Sequence, residues 1–233
     1  MIRNTLFSFF FFTGIVVISI LFLPSLMFPQ KIVLFGGKLF GYWSSFCLKF
    51  FLNTKINIKG KENIIDDTKF FIASSHQSMF ETFFLQTIFN SPIFILKNEL
   101  LKIPIFGWYL KKIGSISIER EKTTKKNLNF FITIDQVISK TDRPLIIFPQ
   151  ATRVLPNDRP PFKKGAARIY KELNINCLPV AINSGHVWPK IGEKKTNRII
   201  TISILKPIKP GLNKEKFLKT LEESIYSELD FIR

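Results

Sequence analysis

Marking the apolar positions along the chain divides it into two unequal parts. From Asn4 to Gln30 no residue is charged, and Phe7-Ser8-Phe9-Phe10-Phe11-Phe12 through Ile15-Val16-Val17-Ile18-Ser19-Ile20-Leu21 is almost wholly apolar. A run of about 20 apolar residues is long enough to enter or cross the hydrocarbon core of a bilayer. A cleaved signal peptide has a shorter apolar centre and a small-residue cleavage site, which Leu23-Pro24-Ser25-Leu26-Met27 does not resemble. The segment is therefore expected to be a retained anchor. Ile32 to Leu52 stays apolar, with Tyr42 and Trp43, but now carries Lys38 and Lys49. That mixture predicts helices lying in the headgroup region.

Beyond Leu52 the apolar residues come in short runs that predict buried strands: Phe70–Ala73, Ile93–Leu96, Gly114–Ile118, Pro144–Phe148, Leu178–Ile182 and Ile199–Ile204. Between and after them the period changes to that of helices. Leu128, Phe131, Ile132, Val137 and Ile138 form one face, and Phe217, Leu218, Leu221, Ile225 and Leu229 another. Strands alternating with helices imply an α/β domain. There is no internal repeat and no long low-complexity linker.

Charge narrows the choice of partners. The chain has 34 basic and 17 acidic residues, a net charge of +17, which points to nucleic acid, an anionic membrane or anionic substrates. Lysines and arginines are scattered rather than gathered on one face with aromatics between them, which argues against nucleic acid. Lys31, Lys38, Lys49, Lys55, Lys59 and Lys61 all follow the first apolar segment, so that side is expected to face the cytoplasm. Cys47 and Cys177 sit in apolar runs without paired spacing, as buried reduced thiols do. With two isolated cysteines and two histidines, no metal site is expected.

One histidine stands where α/β folds place their chemistry. His76 follows the strand-like run ending in Ala73-Ser74-Ser75, and Glu81 is five residues on. In a continuous helix these side chains would point about 140° apart, so they meet only if His76 is in the loop and Glu81 in the first helical turns. Ser78-Met79-Phe80-Glu81 fits a capping box with Ser78 as N-cap, which supplies that break. The same block also reads as a capped helix beside a loop histidine, and these residues alone do not decide between the two. Further on, Gly114-Ser115-Ile116-Ser117-Ile118-Glu119-Arg120 and Ile147-Phe148-Pro149-Gln150-Ala151-Thr152-Arg153 each end an apolar run in arginine, and Lys97 follows a third. Each taken singly is a surface cation; converging, they would read a phosphate.

Together these blocks resemble the lysophosphatidic acid acyltransferases, the 1-acylglycerol-3-phosphate O-acyltransferases, within the glycerolipid acyltransferases. Four stretches match in order: His76 with Glu81 for His-x4-Asp, Gly114 to Arg120, Phe148 to Arg153 for Phe-Pro-Glu-Gly-Thr-Arg, and Leu178-Pro179-Val180-Ala181. Lys97-Asn98-Glu99-Leu100, Pro104-Ile105-Phe106-Gly107 and Phe162-Lys163-Lys164-Gly165-Ala166-Ala167 add support, and the likeness covers about residues 53–210. Glu81 stands where the family has Asp, one methylene longer. Gln150-Ala151 replaces Glu-Gly, and Ala151 is not expected to take glycine-only backbone angles.

The resemblance implies a single glycerolipid-acyltransferase-like α/β domain at 53–233, with a mixed central sheet flanked by helices. Before it lies an N-terminal membrane-embedded helical segment at 1–52. It implies acyl transfer from acyl-CoA or acyl carrier protein to the sn-2 hydroxyl of 1-acylglycerol 3-phosphate, on the cytoplasmic side of a bacterial inner membrane. No cofactor is implied. By the same resemblance His76 is the general base, Glu81 orients it, and Lys97, Arg120, Gln150, Thr152 and Arg153 bind substrate. Another lyso-lipid, such as an ornithine-type aminolipid, or glycerol 3-phosphate itself, is the alternative acceptor that Gln150-Ala151 keeps open. His186, in Ser184-Gly185-His186-Val187-Trp188-Pro189, is expected to be a loop histidine.

Overall fold

The structure is a computed structural model and describes residues 2–64, 69–118 and 125–232; in the helix that opens the last range, the side chains of 125–129, 131 and 135 fall outside the description. Two long helices come first: α1 (Ile2–Leu21) and α2 (Gln30–Leu52), joined by a 3-10 turn at Leu23–Met27 that carries Pro24. They run antiparallel. Phe22 packs near Phe35, Trp43 Nε1 donates to the Phe11 carbonyl at 3.2 Å, and Phe10 stacks on Phe51. α1 is long and apolar enough to be a candidate membrane span.

Among the described residues seven strands form one mixed sheet. They are β1 (Lys55–Lys59), β2 (Phe70–Ser74), β3 (Ile93–Lys97), β4 (Ile116–Ile118), β5 (Leu145–Ile147), β6 (Asn176–Ile182) and β7 (Ile199–Ile204). Their order is β1-β7-β6-β2-β5-β3-β4, and all neighbours are parallel except β6 and β7.

Side chains alternate across the sheet, and both faces are covered. Phe71, Ala73, Leu145, Ile147, Cys177 and Ala181 pack against α5 (Lys125–Ser139), α6 (Gly165–Leu173) and α7 (Lys214–Phe231). Ile72, Ile146, Leu178, Val180, Ile182 and Ile202 pack on the opposite face with α1, α2 and α3 (Phe80–Ile88). Burial on both sides is why these strands read as unbroken apolar runs rather than as alternation. A short helix α4 (Phe106–Lys112) lies between β3 and β4.

The six sequence-predicted strands are all present within a few residues. β1 is additional: Lys55-Ile56-Asn57-Ile58-Lys59 alternates exposed and half-buried positions along the sheet edge. The predicted C-terminal face is met by α7, which buries Phe217, Leu221, Ile225 and Leu229 and is capped by Asn213, whose Oδ1 accepts from Lys216 N at 2.8 Å. In α5, Ile134 and Ile138 are buried and Ile132 is exposed, while the Leu128 and Phe131 side chains lie outside the described residues.

Candidate active site

β2 and β6 lie side by side, and their C-terminal ends carry two loops that interlock. Ser75, directly after β2, is braced across to β6: its Oγ accepts from Ile182 N at 2.8 Å and donates to Ile182 O at 3.3 Å. His76 comes next, still in the loop, as the spacing to Glu81 requires. α3 starts at Phe80, one residue later than Ser78 as N-cap implies. The capping box is formed in its carboxylate half, with Ser78 N donating to both Glu81 oxygens at 3.0 Å, while the Ser78 hydroxyl accepts from Phe80 N at 3.1 Å.

Glu81 is fully buried, and His76 lies 3.3 Å from it, Nδ1 to Oε2. Glu81 Oε1 also accepts from Gln77 N at 3.2 Å and from the Ser184 hydroxyl. The donors around this buried carboxylate satisfy its oxygens, as burial of a polar group requires. Nδ1 is the ring nitrogen that faces this carboxylate, and a proton placed there would leave Nε2 as the acceptor. The ring stacks on Phe148 at 4.0 Å between centroids and is 15% exposed, so a small group can reach it from one side. An imidazole held through Nδ1 by a buried carboxylate, with its outer nitrogen open, is placed to take a proton from a hydroxyl.

The segment after β5 grips the backbone on both sides of that ring. Gln150 Oε1 accepts from His76 N at 2.7 Å, and Val154 N donates to His76 O at 2.9 Å. Gln150, a sequence candidate for headgroup contact, is 2% exposed; its other end, Nε2, reaches Tyr226 OH on α7 at 3.5 Å. Its amide thus supports His76 from below. Burial pushes the Tyr226 phenol up, so it stays protonated and donates to Pro160 O. Ala151 has φ of +61°, in the left-handed region that glycine favours and that an alanine occupies at a cost, though not at an angle only glycine can take.

Of the other candidates, Arg153 lies half-buried and Thr152 exposed between Gln150 and Val154, in the segment that clasps His76. Lys97 is exposed at the end of β3, opposite Ile118 of β4 in register, at the same sheet edge but without a hydrogen bond to the His76 group among the described residues. Arg120 lies outside the described residues. His186 sits in a 3-10 turn, Ser184–His186, after β6. Sequence reasoning missed Ser184, Gln77 and Phe148, since a serine or glutamine in a loop has no pattern until its partner is placed. Among the described residues no cluster of His, Cys, Asp and Glu suited to a metal ion occurs.

A family model described as Acyltransferase matches residues 55–183, more than half of the chain. The chain belongs to the acyltransferase family. The match runs from β1 to the residue after β6, and so takes in His76, Glu81 and the Phe148–Arg153 segment. The chain is similar to the 1-acyl-sn-glycerol-3-phosphate acyltransferase of Pseudomonas aeruginosa, at 32% identity over 156 residues, 64% of this chain and 58% of that protein. It is similar to the protein of that name from Helicobacter pylori at 30% identity, over 78% of this chain and 77% of the relative. The Pseudomonas relative is thus matched over little more than half its length, and the Saccharomyces cerevisiae relative over 57%. The fold matches the crystal structure of the 1-acyl-sn-glycerophosphate (LPA) acyltransferase from Thermotoga maritima, with a TM-score of 0.80 at 23% identity, over 98% of this chain and 95% of that one.

Proposed function

We propose that the protein transfers a fatty-acyl group from acyl-CoA or acyl carrier protein to the sn-2 hydroxyl of 1-acylglycerol 3-phosphate, giving phosphatidic acid. The observation that carries this reading is the buried Glu81 carboxylate facing Nδ1 of His76 at 3.3 Å, in a chain whose relatives bear the name of that activity. The acceptor hydroxyl gives its proton to Nε2 as its oxygen attacks the thioester carbonyl. Glu81 stabilises the imidazolium, and collapse of the tetrahedral adduct expels a thiolate that takes the proton back from Nε2. The acceptor is itself the nucleophile, so the scheme calls on no serine of the protein, no metal and no cofactor. Arg153, Thr152, Lys97 and Arg120 are the groups assigned to the acceptor phosphate, while Gln150 holds the His76 backbone.

The acceptor and product carry fatty chains, so the reaction belongs at a membrane. α1 exposes Phe9, Phe10, Phe12, Val16, Val17 and Ile20, and α2 exposes Phe35, Tyr42, Phe46 and Phe50; these surfaces are assigned to lipid. The basic residues that follow α1 support a catalytic domain on the cytoplasmic side of a bacterial inner membrane.

The test is complementation of a strain lacking lysophosphatidate acylation, together with assays of purified protein on lysophosphatidate, a lyso-aminolipid and glycerol 3-phosphate. Wild type should rescue growth and prefer lysophosphatidate. His76→Ala should lose about 10²- to 10⁴-fold in kcat, the usual contribution of a general base. Gln150→Glu, which keeps the acceptor for His76 N, should retain activity. Full activity of His76→Ala would remove the base role, and preference for a phosphate-free acceptor would remove the proposed substrate.

A further inference from the structure

The turn after β6 lies against the catalytic carboxylate without belonging to its strand or its helix. Ser184 is fully buried, and its hydroxyl donates to Glu81 Oε1. The oxygen it holds is the one turned away from His76, whose Nδ1 faces Oε2. A glutamate has three side-chain torsions, and fixing them costs conformational entropy. Gln77 N and Ser78 N fix the carboxylate from one side only, because both come from the loop just before α3. The Ser184 hydroxyl fixes it from the facing loop. With it in place, Oε1 is saturated and Oε2 is left aimed at the ring.

The turn is itself held with little play. Gly185 N donates to Gln77 Oε1 at 3.1 Å, and a Cβ at Gly185 would come within 2.9 Å of the Gln77 side chain. The turn closes on Ser184 O, which accepts from Val187 N at 3.0 Å and Trp188 N at 2.8 Å. The Trp188 indole then packs edge-on against the buried Phe7 and Phe11 of α1, at 5.1 and 4.8 Å between centroids. Ser184 is therefore delivered to Glu81 by a strand end, a close loop contact and an aromatic clamp.

We infer that Ser184 is a positioning residue for the acyl transfer: by holding Glu81 Oε1 it fixes the Glu81 rotamer that keeps the His76 proton on Nδ1 and Nε2 free. This rests on the reading of His76 as base. A hydrogen bond to a charged group is worth enough that, if its loss reaches the transition state, kcat falls roughly ten- to a hundredfold.

The experiment uses the full chain in lipid nanodiscs. Ser184→Ala should lower kcat at least tenfold with KM for donor and acceptor changed less than twofold, and Ser184→Thr, which keeps the hydroxyl, should recover most of it. In a Glu81→Gln background the same Ser184→Ala change should add almost nothing, because its effect passes through the carboxylate. A second readout does not depend on turnover. The chain has two histidines, so its imidazole 15N spectrum holds two rings, and His76→Ala assigns them. Wild type should show His76 protonated at Nδ1, and Ser184→Ala should shift it toward the Nε2-protonated tautomer. An unchanged tautomer in Ser184→Ala, or a loss of kcat that persists in full with Glu81→Gln, overturns the inference. The expected tautomer shift in Ser184→Ala, together with no acyl transfer by wild type on any acceptor, overturns the proposed function and leaves the Ser184–Glu81–His76 linkage standing.

Discussion

The Glu81 carboxylate accepts from the backbone of Ser78 at the start of α3 while it faces His76, so capping the helix is compatible with the orienting role proposed for it. A capping glutamate is held still by the helix it caps, and that is what an orienting group for a base needs. Ala151 makes a comparable link between backbone and site. Its φ of +61° costs about 1–2 kcal/mol for a residue with a Cβ, and it sits between Gln150, which holds His76 N, and the rest of the clasp. Glycine removes that penalty but loses about 0.5–1 kcal/mol of chain entropy. Ala151→Gly should therefore raise stability in urea unfolding by at most about 1.5 kcal/mol, and Ala151→Val should lower it by about 1–3 kcal/mol with a parallel fall in kcat. A valine variant as stable as wild type would mean the loop relaxes away from the left-handed angle.

β6 crosses the centre of the sheet between β7 and β2, and burial there pushes the Cys177 thiol well above 9.0. The folded state keeps the proton that the unfolded chain gives up. The sign follows: this contribution is fully present below pH 9, and stability falls as pH rises beyond it, by at most about 1.4 kcal/mol per pH unit. Unfolding followed from pH 8 to 10.5 should show a steeper decline for wild type than for Cys177→Ala, and equal slopes would place the thiol in contact with water. Elements like β6 were legible from sequence because a strand covered on both faces is apolar throughout. β1 was not, since an edge strand with Lys55, Asn57 and Lys59 outward has two apolar residues to offer, Ile56 and Ile58. α4 and α6 are 7 and 9 residues long, too short for a helical period to stand out. At the site, His76 and Glu81 were legible because five residues of spacing join them. Ser184 was not, and Gln150 was legible as a site residue but not as the acceptor for His76 N, because their partners are 103 and 74 residues away and the contacts exist only once β2, β5 and β6 align.

At the scale of the molecule, one side of the sheet is covered by α5, α6 and α7 and the other by α1, α2 and α3, and the large exposed apolar surfaces of α1 and α2 lie on the latter side. Phe46 stacks on both Trp43 and Phe50 along α2, and Phe46 and Phe50 are 50% and 71% exposed. Among the described residues Phe46 and Phe50 pack on Trp43 and Phe51 and on no residue of the loops around His76, so the lipid contact proposed for them is separable from the chemistry. Transferring a phenylalanine side chain out of water is worth about 1.5–3 kcal/mol, which is tenfold or more in partitioning for each ring. Scaled to the exposed fraction of each ring, Phe46→Ser with Phe50→Ser should therefore weaken sedimentation with phosphatidylcholine vesicles roughly twenty- to a few hundredfold, while kcat on acceptor dispersed in detergent stays within twofold. The net charge of +17 adds a second attraction that the rings do not supply. Binding of the double variant to vesicles containing phosphatidylglycerol should persist at low salt and fail at 1 M, where the screening length is about 3 Å. Wild type, held by both terms, should keep binding at either salt concentration. Unchanged partitioning of the double variant into neutral vesicles would move the lipid contact off α2 and leave α1 to carry it alone.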